Sequence, residues 1–381
     1  MVLIWDTPGS FSMKTDVIIV GAGVIGLSIA HELLSRGTRV TLVDPREPGK
    51  EASWAAAGVL APQGARPVSR AYLDLCLAGL DLYADWSAAL LEETGIDVEY
   101  RTEAGLQVAF DDTESEELEQ RYRHQQDLGL PVEQLTGEEV RALEPMLSPD
   151  TRCGLRFERM HQVENRRLVQ ALVAAVRARG GVFRIGDPVV DLIVRRNRAA
   201  GVVIPGERIG AERVVVAAGA WSGLLKWITG MPPPVQPVRG QMVCVDGRGV
   251  PPLGRVIYGM EQYLVPRRDG RVLMGATVEK TGFDASVTAG GVSEVIREGL
   301  RMAPGLAEAP VVETWAGLRP MSKDGKPILG PTGLERLVLA TGHFRNGILL
   351  APITGRLIAD HLEHGAVPAA MAPFRADRFD R

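Results

Sequence analysis

The run Asp16-Val-Ile-Ile-Val-Gly21-Ala-Gly23-Val-Ile-Gly26 leads into an apolar stretch of helical period and then into Arg39-Val-Thr-Leu-Val-Asp44. The order is strand, glycine turn, helix, strand, acid, which a dinucleotide-binding βαβ unit requires. Gly21 permits the tight turn, Gly23 lets backbone approach a pyrophosphate, and Gly26 lets the helix pack close to the strand. The helix N-terminus, led by Val24 and Ile25, then offers unpaired N–H groups and a positive dipole end. Asp44 ends the second strand, where a carboxylate can accept from ribose hydroxyls, and Pro45 follows it. A glycine turn alone is a weak signal; the flanking strands, helix and acid make it a specific one.

The 381 residues suffice for two domains. With 43 Lys and Arg against 47 Asp and Glu, the net charge of −4 leaves no basic footprint for nucleic acid. Cys76, Cys153 and Cys244 are far apart and form no metal-ligand spacing, so they read as reduced thiols of a cytoplasmic protein. No His, Cys, Asp or Glu pattern suggests a metal. No stretch is apolar for long enough to span a membrane. Residues 1–12 lack the charged start and apolar core of a secretory signal, and they are expected to form a disordered extension.

Periodicity predicts one long amphipathic helix over 72–94, a strand over 105–110, a charged helix over 113–128 and a capping box at Thr136-Gly-Glu-Glu139. A helix over 167–179 is followed by three strands, 182–185, 189–196 and 201–204, which read as an antiparallel meander. Arg213 to Val216 reads as a buried parallel strand that enters the small-residue turn Ala217-Ala-Gly219-Ala-Trp221. After Pro232-Pro-Pro234, a plausible domain crossing, strands alternate to residue 277. A helix over 293–302, strands over 311–318 and 337–341 and a last helix over 354–364 complete the chain. The segment Ala52-Ser53-Trp-Ala-Ala-Ala57-Gly58-Val59 carries little side chain. That suits either backbone pressed on a flat or phosphorylated ligand or a tightly packed helix start.

Five motifs stand in one order: the βαβ unit, Ala55-Ala-Ala-Gly58, Val214-Val-Val-Ala-Ala-Gly219-Ala-Trp221, Trp315-Ala-Gly-Leu-Arg319-Pro320 and Gly342-His343-Phe344-Arg345-Asn346-Gly347-Ile348-Leu349-Leu-Ala-Pro352. From Lys14 almost to the C-terminus the chain resembles the FAD-dependent D-amino acid oxidase superfamily, and most of all its bacterial glycine oxidases of thiamine biosynthesis. The resemblance implies an α/β and α+β architecture. A discontinuous Rossmann-like FAD-binding domain of the glutathione-reductase type would take residues 13–90, 152–235 and 320–381. A substrate domain on a large, mostly antiparallel sheet would take 91–151 and 236–319.

The same resemblance assigns roles. Arg319 would hold the substrate carboxylate bidentately, although a strand-end ion pair is the structural alternative. Tyr263 would assist with its hydroxyl, or else be a sheet-face aromatic. Arg345 would lie near flavin and substrate amine, or else pair with a buried acid. Gly21, Gly23, Val24, Ile25, Gly26, Asp44, Pro45, Ala52, Ser53, Ala57, Gly58, Val59 and the main chain of Val189 would contact the adenosine, pyrophosphate and flavin. His343 to Leu349 would wrap the flavin pyrimidine. His343 read alone is a packed or capping residue. No cysteine stands where a flavin link is expected, so the FAD should be non-covalent.

Two positions depart from the glycine oxidase pattern: Glu261 replaces His, and Val278 replaces Met. Glu261, if it faces the pocket, would favour a cation, and Val278 would leave room beside Cα. The implied activity is oxidation of glycine, with sarcosine and small D-amino acids as further candidates, by hydride transfer from Cα to flavin N5. The products are the 2-oxo acid, ammonia or amine, and H₂O₂ from O₂. A dehydrogenase that reduces a quinone and a non-catalytic FAD-binding subunit are the alternatives. The family's habit further implies a homo-oligomer, often a tetramer.

Overall fold

The computed structural model describes residues 13–63, 69–226 and 232–380. The extension expected at residues 1–12 lies outside the described residues. One eight-stranded sheet is built on strand Met13–Val20, which pairs in parallel with Val40–Asp44 on one side and Glu207–Val216 on the other. Leu337–Thr341 extends it in parallel beyond Glu207–Val216, and Ile328–Pro331 closes that edge antiparallel. Strand Met13–Val20 can be central because its apolar run feeds both faces. Val17 and Ile19 join a core with helices Val24–Ser35, Asn165–Ala178 and Gly347–His364, while Ile18 and Val20 join a second core on the opposite face.

The glycine turn is shaped by close backbone approach. A Cβ on Gly26 would stand 2.0 Å from Gly21 O, so only glycine lets the helix leave the strand at this angle. Gly21, at φ +109°, lies against Ala217 O of the neighbouring strand's turn. The meander read over 182–204 is shorter than expected. Val182–Ile185 pairs in parallel with Val40–Asp44 as the far edge of the sheet, and only Asp191–Arg195, Arg198–Ile204 and Glu207–Val216 run antiparallel in series. The Gly186-Asp-Pro turn after Ile185 therefore carries the chain away from that edge instead of closing a hairpin.

The second eight-stranded sheet runs Val311–Ser322, Val235–Asp246, Arg271–Gly275, Tyr263–Pro266, Ile257–Tyr258, Gly105–Ala109, Cys153–Phe157, Glu133–Thr136. All its pairings are antiparallel except Ile257–Tyr258 with Gly105–Ala109. Helix Ala289–Met302 covers one face. The other face looks toward the first sheet and meets Ala57. Strand pairing runs across two of the expected boundaries. Cys153–Phe157 hydrogen-bonds to Gly105–Ala109, so the chain is still in the second sheet after residue 152. The crossing placed at 319/320 falls inside the continuous strand Val311–Ser322.

Two helices differ from their sequence reading. The long helix is two, Arg70–Asp81 and Tyr83–Thr94, meeting at Leu82. The last helix begins at Gly347 rather than Thr354 and contains Pro352. Proline lacks the N–H that would reach the carbonyl four residues back. The hydroxyl of fully buried Tyr83 replaces it, donating to Ile348 O at 2.5 Å. That bond lets the helix start seven residues earlier than the proline implies. Tyr83→Phe should leave a buried carbonyl unpaired and cost about 1–3 kcal/mol. Guanidinium unfolding should show a lower midpoint at an unchanged slope; a wild-type midpoint would mean that the carbonyl has another donor.

Candidate active site

In the parallel part of the first sheet, helices Val24–Ser35 and Gly347–His364 both start at the carboxyl ends of strands, where ligands of such folds bind. They pack so closely that a Cβ on Gly355 would lie 2.8 Å from Ser28 O. Gly23 is the N-cap of the first helix, and the nearest atom to an added Cβ would be Ser53 Oγ at 3.4 Å. Room for a ligand is therefore left on its open side. Ser53 Oγ accepts from the Val24 N–H at 3.0 Å, tying the 52–59 segment to the helix start.

Asp44 spans the turn. Its Oδ2 accepts from Ala22 N–H at 2.7 Å and its Oδ1 from Arg46 N–H at 2.9 Å. Burial nevertheless raises its pKa, the two backbone donors opposing that shift. Pro45 beside it is exposed, and Ile25 is buried behind the turn. Val189 lies in the extended segment ahead of Asp191–Arg195 and packs on the core of that face.

Ala52–Ala55 forms one helical turn, and Ala57 and Gly58 are buried. A Cβ on Gly58 would stand 2.0 Å from Val163 O, so its glycine serves packing. Val59 begins a two-residue strand paired to His161–Gln162. Both sequence readings of this segment have a part: it is tightly packed on one side and presents little side chain on the other.

Gly342 and Phe344 adopt φ +73° and +49°, a left-handed pair that folds the chain sharply after strand Leu337–Thr341. His343 is buried, its Nε2 3.1 Å from Thr354 Oγ1, and burial depresses the imidazole to about 3. It is neutral at physiological pH and serves as a packed post. The Asn346 side chain turns away to Tyr72 Oη at 2.9 Å. No side chain caps helix Gly347–His364, so the first-turn N–H groups of Gly347, Ile348 and Leu349 are available to a ligand. The orphaned donors, the open side of Gly23 and the bare 52–59 segment fit an elongated dinucleotide with a flat ring.

Over this crevice the second sheet presents one row of directly opposed residues: Trp315, Met242, Gly275, Tyr263 and Tyr258. One register step away, Gly317 opposes Gly240. The glycines make a floor. Met242 and Tyr263 close over Gly275, and the Tyr263 hydroxyl lies 3.6 Å from Met242 Sδ. Ala55 stands on Gly317, and Trp315 Nε1 donates to Ala55 O at 3.0 Å.

Arg319, on the same face of its strand, lies across Gly240, where a Cβ would come within 2.2 Å of Nη1. The guanidinium donates to Thr277 O at 3.0 Å and more weakly to Arg239 O at 3.4 Å. Among the described residues no carboxylate pairs with it. Burial lowers its pKa, the Tyr263 hydroxyl partly offsets that, and Arg345 adds positive potential. Arg345 is exposed, its guanidinium lies 5.6 Å from the Phe344 ring, and it forms no ion pair among the described residues. The structure thus places Tyr263 and Arg345 each within electrostatic reach of Arg319.

Val278 follows Thr277 and is 48% exposed. Glu261 lies in the turn before Tyr263. With Gln262, Glu294 and Arg297 it lines a groove of about 270 Å³ against helix Ala289–Met302. No group of three or more metal-ligating side chains occurs among the described residues.

Sequence reading missed the residues that join the two sheets. Buried Arg267 donates to Val163 O at 3.0 Å, Ala57 O at 2.9 Å and Asn165 Oδ1 at 3.0 Å. Asn165 in turn donates to Ser53 O and Trp54 O. Arg166 lies between the rings of Trp54 and Trp315 and pairs bidentately with Glu313 at 2.8 and 3.0 Å. A charged residue following an apolar strand was the only available signal for Arg267.

Fold and site together define a two-sheet oxidoreductase that works through a bound dinucleotide. The chain belongs to the DAO family of FAD-dependent oxidoreductases, whose profile matches residues 16–361. It is 37% identical over 373 residues to the bifunctional protein ThiO/ThiG of Trichormus variabilis, covering 97% of this chain but only 56% of that one. It thus spans little more than half the length of that relative. It is 36% identical over 360 residues to the glycine oxidase of Pseudomonas aeruginosa, covering 91% and 94% of the two chains. The crystal structure of glycine oxidase from Geobacillus kaustophilus superposes with a TM-score of 0.90 at 35% identity, covering 96% and 99%. No helix among the described residues is long and apolar enough to cross a membrane.

The depressed His343 value makes stability depend on pH. Below the ordinary value of 6.5 the unfolded chain takes up a proton that the folded chain refuses until about 3. Stability is therefore withdrawn across that window, by up to about 1.4 kcal/mol per pH unit. His343→Gln should flatten the fall of unfolding free energy between pH 6.5 and 4; parallel curves for wild type and variant would refute the assignment.

Proposed function

We propose that this enzyme oxidises glycine and other small amino acids, gripping them by their carboxylate. The observation that carries the reading is the Arg319 guanidinium, set over a glycine floor with carbonyl partners and no acid. A half-buried cation without an acid beside it keeps its charge at a cost unless an anion arrives. A substrate carboxylate supplies that anion and matches the planar fork bidentately. Tyr263 adds a hydroxyl donor beside it.

FAD, when bound, accepts the hydride lost from Cα at N5 and passes the electrons to O₂, giving H₂O₂. The chain's part is orientation. Arg319 and Tyr263 hold the acid end, so that Cα is presented to the crevice with its hydrogen directed away from the sheet. Arg345 raises the local positive potential, which favours the amine in its neutral form, with the lone pair that oxidation needs. The imino acid then takes up water to give the 2-oxo acid and ammonia, or an amine when the nitrogen carries a substituent. We assign FAD holding, without a covalent link, to Gly21, Gly23 and Gly26 with Val24 and Ile25, to Asp44 and Pro45, to the 52–59 segment, to the Val189 main chain and to His343–Leu349.

Peroxide release from glycine in air by the purified FAD-loaded protein is the direct test. A flavin that glycine reduces but air leaves reduced would indicate a dehydrogenase instead. Arg319→Ala should raise the KM for glycine by about 10²-fold or more while FAD stays bound; an unchanged KM removes the carboxylate assignment. Val278→Met should lower activity on larger D-amino acids relative to glycine, read as the ratio of kcat/KM values. An unchanged ratio would place Val278 outside the substrate's reach.

A further inference from the structure

Arg319 is aimed by two main-chain carbonyls, Thr277 O and Arg239 O. Arg239 lies inside strand Val235–Asp246 and is held by the sheet. Thr277 lies beyond the end of strand Arg271–Gly275, where regular pairing has stopped. What ties Thr277 to Arg239 is Glu279, the next residue but one. Arg239 and Glu279 exchange main-chain hydrogen bonds, Arg239 N–H to Glu279 O at 2.8 Å and Glu279 N–H to Arg239 O at 3.0 Å.

The Glu279 carboxylate then gathers three donors. Its Oε2 takes Arg239 Nη2 at 2.6 Å, and its Oε1 takes Gln241 Nε2 at 2.8 Å and Thr277 Oγ1 at 2.5 Å. Thr277 Oγ1 itself accepts from the Gln241 N–H at 2.9 Å. On the far side, Gln241 Oε1 accepts from Thr288 N–H at 2.8 Å, anchoring the hub to the start of helix Ala289–Met302. Arg239 Nη1 reaches Asp284 Oδ2 at 2.9 Å and Ser286 O at 3.2 Å, so both its terminal nitrogens are engaged. Burial pushes the Glu279 carboxyl up, but the bonds from Arg239, Thr277 and Gln241 outweigh it and hold the group at about 2, ionised at any working pH.

We propose that Glu279 is a positioning residue of the substrate clamp, setting the direction of Arg319 through Thr277 and Arg239. The proposal rests on the reading of Arg319 as the carboxylate holder. Its logic is a division of charge. Glu279 neutralises Arg239 and spends its remaining lone pairs on the chain that carries Thr277. Arg319, on the neighbouring strand, then meets carbonyl oxygens and the Tyr263 hydroxyl but no acid among the described residues, and such partners orient a guanidinium without cancelling its charge. A clamp built this way is pre-set in direction and still hungry for an anion. An acid placed directly on Arg319 would have oriented it equally well and blocked it.

The test uses FAD-loaded protein and acetate, an unreactive carboxylate, followed by the change it causes in flavin absorbance. Glu279→Gln should weaken acetate by ~10-fold or more, and Glu279→Asp should recover part of the loss. The KM for glycine should rise by more than kcat falls, a split that general loosening of the fold does not produce. Thr277→Val removes one donor from the hub while keeping the carbonyl, and should weaken acetate by roughly 3-fold. It decides the matter should Glu279→Gln fail to fold. Wild-type acetate affinity in FAD-loaded Glu279→Gln, or in Thr277→Val in that event, overturns the proposal. Arg319→Ala separates the two claims. If it abolishes acetate binding while the hub variants bind as wild type, only the positioning role falls. If it too binds acetate normally, the clamp itself is wrong and the hub with it.

Discussion

Taking a guanidinium out of water is costly unless its charge is paired and its N–H groups are satisfied. Arg319 meets the second condition only in part, through Nη1, and lacks the first. Two carbonyls take its hydrogen bonds, Gly240 gives it room to lie flat on the sheet, and no carboxylate stands against it among the described residues. Such an arrangement is less stable than an internal ion pair would be. A fold that keeps it holds an anion site in readiness, and the rest of the second sheet is arranged around that site.

The first sheet contributes the opposite wall. Two helix N-termini at the carboxyl ends of parallel strands, a turn whose glycines admit no side chain, and a segment of alanines and serine leave backbone as the surface facing the second sheet. The walls are held at fixed spacing by Arg267, whose terminal nitrogens donate to Val163 O, Ala57 O and Asn165 Oδ1, and by Trp315, whose indole N–H reaches Ala55 O. Each of these contacts ties a cofactor-wall residue to a strand of the substrate wall. We infer that cofactor and substrate geometry are set by one connected set of bonds.

Much of this was legible in the chain. The βαβ unit follows from glycine spacing and strand-like runs, the capping box at Thr136 and Glu139 forms as written, and the parallel strand ending at Val216 was evident from its unbroken apolar character. Alternation along Trp315, Gly317 and Arg319 also puts those three residues on one face. What was not legible depended on partners distant in sequence. Pro352 reads as a stop because its lost hydrogen bond is local, whereas the hydroxyl that replaces it belongs to Tyr83, 265 residues before the Ile348 carbonyl it serves. Val182–Ile185 reads like its hairpin neighbours, and only the vacant edge of Val40–Asp44 makes it parallel. Arg239 and Glu279 look like ordinary charges near strand ends until the register brings them together.

The account's central claim is that Arg319 receives a substrate's acid end above the flavin. A crystal structure of the FAD complex soaked with acetate tests it most directly. The account predicts acetate bound by both terminal nitrogens of Arg319, with the Tyr263 hydroxyl on one oxygen and the methyl group directed at the flavin ring. Acetate held elsewhere in the crevice, or an Arg319 side chain turned away from the ring, would contradict it.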